Sequence, residues 1–139
     1  MQKAKEERFF FKIDSPPLPS QLNLYQQRCV FINADIKIVN FTLFPTQTIR
    51  SLLCFHKDIH PTKIKAHSFV LLTVLDLQKC QLYDFPQGLT FLVHLWYLAI
   101  SICYSSGFPK SICKLWSLQT LILHTYSRSM HLPREVQDL

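Results

Sequence analysis

Glycine is almost absent from this 139-residue chain, which holds only Gly88 and Gly107. Phosphate-binding loops need closely spaced glycines whose backbone can approach the ligand, and neither G-x-x-x-x-G-K-[ST] nor G-x-G-x-x-G occurs. The sequence also has no uninterrupted apolar run near the ~20 residues that a membrane-spanning helix requires. We therefore expect no nucleotide site, no other cofactor and no membrane span.

The charged start of the chain, residues 1–12, lacks the separated basic, apolar and small-residue zones of a signal peptide. Acidic residues are few, so the net charge is +6. The 15 basic residues are scattered, however, and do not alternate with aromatic residues as they would in a surface that stacks nucleic-acid bases. The sequence predicts a soluble cytoplasmic protein that does not bind nucleic acid.

An apolar pattern of the form L-x-x-L-x-L returns at a constant interval. Its four copies begin at Ile49, Leu72, Leu95 and Leu118, which gives a 23-residue period. One period earlier stands a degenerate copy, Gln26-x-x-Cys29-x-Phe31. A fixed period of about 20 to 29 residues with this core is typical of a leucine-rich repeat, which supplies one short strand and one return segment. The pattern predicts an α/β solenoid with about five parallel strands on a concave face and short helical or irregular segments on the convex side.

An apolar residue followed by proline also recurs. Phe85-Pro86 and Phe108-Pro109 are one period apart, and Leu132-Pro133 follows one position late. Proline fixes φ and favours a tight turn into a short helical or extended segment. We expect such a turn on the convex side of each repeat, with a single insertion in the last repeat.

Two parts of the chain differ in character, residues 1–22 and residues 23–139. Residues 3–8 favour a helix, residues 15–20 form a proline-rich linker, and the Phe run at 9–11 offers an apolar surface to bury. We expect the first part to be the end of a preceding domain, with the Phe run docked onto that domain or onto the first repeat. Since the last period is completed at residue 139 with no cap, we expect a repeat domain cut short.

The five cysteines have structural explanations. Cys29 and Cys54 fall at predicted core positions, where a small buried hydrophobe is common. Cys80 and Cys103 occupy the position after the strand that these repeats often fill with Asn or Cys, which helps to satisfy backbone groups as the chain turns. Cys113 is predicted to be a surface or half-buried thiol. An odd total and the missing secretory signal argue against disulfides.

A metal site is suggested only by Cys54-x-His56-x-x-x-His60 with His67 downstream. The repeat frame turns Cys54 into the core, and Pro61 interrupts any helix that could align the histidines. No Ser, His and Asp set stands at a recognisable spacing either. We expect no metal site, no catalytic residues and no enzymatic activity.

Because side chains alternate along a strand, the residues between the buried ones face the concave side. Exposed apolar residues rimmed by polar and aromatic ones are typical of protein-binding surfaces. The alternative is that flanking segments of the same protein cover some of them. The predicted binding residues are Arg28, Val30, Leu53, Phe55, Val74, Asp76, Gln78, Trp96, Tyr97, Ala99, Ile122 and His124.

The strongest repeats resemble a known family. Residues 69–77, FVLLTVLDL, look like the F-K-L-L-R-V-L-D-L segment of plant intracellular immune receptors of the nucleotide-binding, leucine-rich-repeat type. Residues 92–100 and 108–121 are similar to the repeats that follow it there, and residues 50–55 to a weaker upstream repeat. Residues 3–10 resemble the helix that closes the nucleotide-binding module. Within this family the chain is most similar to the late blight resistance proteins of nightshade plants.

The resemblance implies a sensor in plant defence. In that family the repeat domain folds back on the nucleotide-binding module, keeps it inactive and helps to detect a pathogen effector or its host target. The expected partner is therefore an effector, a host protein or a nucleotide-binding module. Two alternatives stay open at this stage, a general intracellular scaffold that holds a signalling protein and an extracellular receptor fragment.

Overall fold

The computed structural model of the protein describes residues 10–14, 27–33, 46–57, 66–103, 108–126 and 131–138. Six parallel strands form a single sheet in which the spatial order follows the chain order. This arrangement confirms the predicted parallel solenoid. The strands are β1 (Phe10–Ile13), β2 (Cys29–Ile32), β3 (Ser51–Cys54), β4 (Val74–Leu82), β5 (Tyr97–Ile102) and β6 (Thr120–Thr125).

Two rows of apolar side chains on one face of the sheet form the centre of the core. From β2 to β5 each member of these rows is at most 1% exposed, whereas the two members in β6 are half-buried against the same cluster. Strand alternation explains the rows, because every second side chain points to the same face. The rows are Val30, Leu52, Leu75, Leu98 and Leu121, and Ile32, Cys54, Leu77, Ile100 and Leu123.

Successive strands are joined at their start by a repeated backbone contact. The carbonyl of Arg50 accepts hydrogen bonds from the N–H groups of Thr73 and Val74, at 2.8 and 3.0 Å. The carbonyls of Arg28, Thr73 and Trp96 each accept two N–H groups of the following repeat in the same way. Because each repeat satisfies the donors of the next, the strand starts stay aligned.

The return segments are 3-10 helices, which confirms the predicted short helical convex segments. They span Ala66–Ser68, Gln87–Phe91, Lys110–Lys114 and Arg134–Asp138. A proline precedes each of the last three, and the carbonyl of Pro86 accepts from the Leu89 N–H at 2.9 Å, as that of Pro109 does from Ile112 at 3.0 Å. The last helix starts one position later than the period would place it, so the predicted insertion is confirmed. No helix in the described residues is both long and apolar enough to span a membrane.

Phenylalanines stack behind the prolines on the convex side. The rings of Phe85 and Phe108 lie with centroids 4.8 Å apart and planes tilted by 56°, and both residues are nearly buried. Such tilted pairs bring the positive edge of one ring towards the face of the other. The Phe-Pro recurrence therefore supplies the turn and, in addition to the two rows on the sheet, an apolar row on the convex side.

The register of the first repeat differs from the prediction by a single position. Val30 pairs with Leu52 and is fully buried, so the first step of the solenoid is shorter by one than the period of the later repeats. The expectation that Cys29 and Phe31 point into the core is wrong, since both lie half-buried on the opposite face. A shift of one position exchanges the two faces of a strand. All four residues of β2 are apolar, so no polar alternation marks the correct face.

The strand β1 adds a sixth rung that the repeat period does not contain. Phe10 pairs with Cys29, which is a shorter step along the chain than any later one, and the N–H of Asn33 donates to the carbonyl of Ile13 at 2.8 Å. Part of the apolar segment predicted to dock thus pairs with the first repeat. The helix predicted over residues 3–8 and the linker over 15–20 lie outside the described residues, and the division at residue 22 stays a prediction.

An irregularity in β4 places one cysteine where it satisfies the backbone. Leu77 pairs with Ile100 but Gln81 pairs with Ser101, so the intervening residues 78–80 bulge from the ladder. The fully buried Cys80 thiol donates to the carbonyl of Cys54 at 3.3 Å, as its predicted role requires. A hydrogen bond with Cys80, followed by burial, holds the pKa of the Cys54 thiol well above its ordinary value.

Candidate protein-binding surface

The face of the sheet opposite the core, called the concave face below, carries two columns of outward-pointing side chains. They are Cys29, Ser51, Val74, Tyr97 and Thr120, and Phe31, Leu53, Asp76, Ala99 and Ile122. Apart from Ala99, which is buried, and Thr120, which is exposed, these side chains are half-buried. Neighbouring side chains of this kind cover one another partly and leave a continuous, largely apolar surface.

Most of the predicted binding residues do lie on this face or at its rims. Leu53, Val74, Asp76, Tyr97 and Ile122 belong to the two columns. Trp96 lies immediately before β5 and is 48% exposed. At the opposite rim, two positions along the chain after members of the second column, lie Phe55, Gln78 and His124.

Three predicted positions need correction. Val30 is a core residue with no exposed surface, because of the register shift in the first repeat. Arg28 is exposed but lies just before β2, where it aligns with Arg50 and not with the strand column. Ala99 points to the concave side, yet it too has no exposed surface. Its methyl group is short, and its column neighbours Asp76 and Ile122 are larger.

A pocket of about 410 Å³ opens on the concave face between β3 and β6. Its walls combine apolar and aromatic side chains with one carboxylate and two polar groups. The lining residues are Leu53, Val74, Asp76, Trp96, Tyr97, Gln119 and Thr120. Four successive repeats line the pocket because they align in register, so it exists only when the solenoid is formed.

The carboxylate of Asp76 in this pocket is held by a backbone N–H group of the same strand. The N–H of Gln78 donates to Asp76 Oδ1 at 3.0 Å, which fixes the side chain of Asp76 over the strand. The two ion pairs among the described residues, Lys12 with Asp14 and Lys110 with Glu135, do not involve Asp76. The pocket therefore presents a half-buried carboxylate that forms no ion pair with any described residue.

Aromatic stacking extends the surface towards the first strand. The rings of Phe31 and Phe55 are 4.4 Å apart and almost parallel, and Lys12 Nζ lies 6.0 Å from the Phe31 ring centroid. Lys12 also pairs with Asp14 at 3.0 Å. Hydrogen bonds from Lys12, first, and from Asn33 lower the pKa of the Asp14 carboxyl.

A polar contact crosses the rim at which the strands end. Gln78 Nε2 and His124 Nε2 approach to 3.4 Å although they belong to repeats that are not adjacent. The repeat period places Ser101 between them, and Ser101 is only 3% exposed. The contact therefore links the second and fourth regular repeats at this rim.

Four contributors to this surface are absent from the binding residues predicted from the sequence. Gln119 and Thr120 line the pocket. The repeat period could have identified both, because they follow Trp96 and Tyr97 by one period of 23 residues. Phe31 was assigned to the core because of the register shift. Lys12 belongs to β1, which has no repeat signature.

The histidines considered for a metal site do not form one in the described residues. Cys54 is buried in the core and His67 lies in a separate 3-10 helix, while His60 is outside the described part. Within that part no group of three or more His, Cys, Asp or Glu side chains is arranged to hold a metal ion.

Outside the two concave columns, a further set of apolar side chains lies in the turns that lead into the strands. Val70, Val93 and Trp116 follow one another at the repeat period and are 53%, 49% and 86% exposed. None of them lines the pocket. They therefore offer comparison positions for side chains on the concave face.

A profile of leucine-rich repeat regions matches residues 48–139, which is about two thirds of the chain. A comparison with curated proteins finds no match. The matched segment contains β3 to β6, where the L-x-x-L-x-L rows and the 3-10 helices repeat most regularly. The sequence period, the parallel sheet and the profile agree, and the chain belongs to the leucine-rich repeat family.

Proposed function

We propose that this chain is a non-enzymatic protein-interaction domain whose concave face binds its partner. The observation that carries the proposal is the pocket between β3 and β6, where Trp96 and Tyr97 stand beside apolar side chains. Aromatic residues in a partly desolvated depression are the side chains that most often dominate binding energy at protein interfaces.

The resemblance to plant immune receptors suggests the biological setting. We propose that the domain acts in the cytoplasm as a sensor and autoinhibitory repeat domain of a plant disease-resistance protein. Its partner would then be a pathogen effector, a host target or a nucleotide-binding module. The likeness of residues 69–77 and 108–121 to the repeats of that family supports this setting.

The test uses the nucleotide-binding module of a late blight resistance protein, expressed separately and mixed with this chain. We expect the two proteins to associate, and Tyr97→Ala to weaken the association about tenfold or more, because truncation of an interface tyrosine removes a large buried contact. Phe55→Ala should act in the same direction. Titration by biolayer interferometry gives the dissociation constants.

Tyr126→Ala provides the matched control, since Tyr126 is 72% exposed and lies outside the pocket. Urea unfolding of each variant checks that the fold survives. If the chain does not bind the module, the autoinhibitory role is wrong. If it binds and both concave variants bind as well as the unchanged chain, the concave face is not the contact.

A further inference from the structure

The pocket combines two kinds of recognition group at one place. Trp96 and Tyr97 supply aromatic walls, and Asp76 supplies the only acidic side chain of the two concave columns. A cation gains from both, through the negative face of an aromatic ring and through the carboxylate. An aliphatic or acidic group would leave the charge of Asp76 without a partner.

Asp76 has a fixed position but incomplete charge compensation. It is half-buried and accepts one hydrogen bond, from the Gln78 N–H at 3.0 Å. A carboxylate offers about four lone-pair sites, so Asp76 can still accept further hydrogen bonds from a ligand. Partial removal from water makes a matching positive charge favourable here, because the interaction is screened less than at an open surface.

We propose that the pocket receives a single arginine side chain of the partner protein, with its guanidinium beside Trp96 and Tyr97 and paired with Asp76. This inference rests on the proposed function, since it names the chemistry of the partner at the same site. Arginine suits the pocket better than lysine because its planar group stacks on aromatic rings and forms two parallel hydrogen bonds to a carboxylate.

Apart from this arginine, the partner segment should not be basic. The chain carries a net charge of +6, so a strongly basic segment would be repelled at long range. Part of this charge lies close to the concave face, because Arg28 and Arg50 are exposed beside the strand starts. The segment expected to bind is therefore neutral or acidic overall and carries one arginine at its centre.

Selection from a phage library of random twelve-residue peptides on the immobilised full chain tests the proposal. We expect the enriched peptides to share one arginine. Replacing that arginine by citrulline, which keeps the shape and removes the charge, should weaken binding to the chain at least tenfold. Asp76→Asn, which retains an oxygen for the Gln78 N–H, should cause a similar loss, and combining the two changes should add little further loss.

Two variants complete the design. Trp96→Ala should weaken binding of the selected peptides, whereas Trp116→Ala, the same change at the exposed turn before β6, should leave it unchanged. Asp76→Lys should select peptides in which glutamate or aspartate replaces the arginine. Fluorescence polarisation with labelled peptides gives each dissociation constant.

The outcomes separate this inference from the proposed function. Peptides that lose affinity on Tyr97→Ala but carry no arginine and bind Asp76→Asn normally overturn the arginine inference alone. Peptides that are insensitive to both Tyr97 and Asp76 variants, or a selection that yields no binder, overturn the concave face as a protein-binding site as well.

Discussion

At the residue scale, Gln27 is the clearest departure from the repeat. It takes the core position that Ile49, Leu72 and Leu95 fill in later repeats, and it is only 9% exposed. Its side-chain Oε1 is buried and has no hydrogen-bond partner in the described structure. A buried polar atom without a partner carries a desolvation cost that an apolar side chain avoids.

We therefore expect Gln27→Leu to raise the free energy of unfolding by about 1–2 kcal/mol. Urea unfolding followed by circular dichroism measures the change. Gln47→Leu is the control, because Gln47 is exposed in a turn and the same substitution there should have an effect below about 0.5 kcal/mol. A destabilised Gln27→Leu protein would show that this glutamine satisfies a need other than packing.

At the element scale, the convex Phe-Pro turns should contribute as much to stability as the strand rows. Phe85 is 5% exposed and packs against Phe108, whereas Phe91, in the next 3-10 helix, is 69% exposed. We expect Phe85→Ala to lower the free energy of unfolding by about 3–5 kcal/mol, since it leaves a cavity between two repeats.

The matched control is Phe91→Ala, for which we expect less than about 0.5 kcal/mol. Chemical denaturation of both variants under the same conditions gives the comparison. Equal losses in the two variants would mean that the convex segments are not packed as layers, and would count against the described contact between Phe85 and Phe108.

The elements also show how far sequence reasoning extends. From Ile49 onwards the period predicted the buried rows, the strand starts and the proline turns, because the same packing requirement recurs at the same spacing. It failed in β2, where an unbroken apolar run leaves the face undetermined, and at β1, whose step to β2 is shorter than the period.

The candidate site was less predictable than the fold. Alternation correctly placed Val74, Asp76 and Tyr97 on the concave face, because it depends only on strand geometry. Burial of Ala99 and the contact of Gln78 with His124 depend on the sizes and directions of side chains in neighbouring repeats. No single-repeat pattern contains that information.

At the scale of the whole molecule, the described strands and 3-10 helices contact mainly their neighbours in sequence. Among the described strands, the most extensive contacts join β4 to β5 and β5 to β6, and the spatial order follows the chain order. In such a solenoid, stability is close to a sum of repeat and interface contributions, so local opening is expected at the least supported strands.

We expect native-state hydrogen exchange to show this gradient. Backbone amides of β4 and β5 should exchange most slowly, and those of β1 at least tenfold faster, because β1 is short and pairs with β2 alone among the described strands. Exchange followed by NMR at several low urea concentrations provides the measurement, and β3 serves as the intermediate reference. Equal protection of β1 and β4 would indicate one all-or-none unit instead.

The common direction of the six strands gives the concave face two chemically different borders. Along the border where strands begin lie Arg28, Arg50, Thr73, Trp96 and Gln119, and towards the other border lie Asp14, Asn33, Phe55, Gln78 and His124. If a segment that runs along the strand direction were reversed, each of its ends would meet the groups of the other border. We therefore expect a bound segment to prefer one of its two orientations, and a ligand with identical halves to match the two borders poorly.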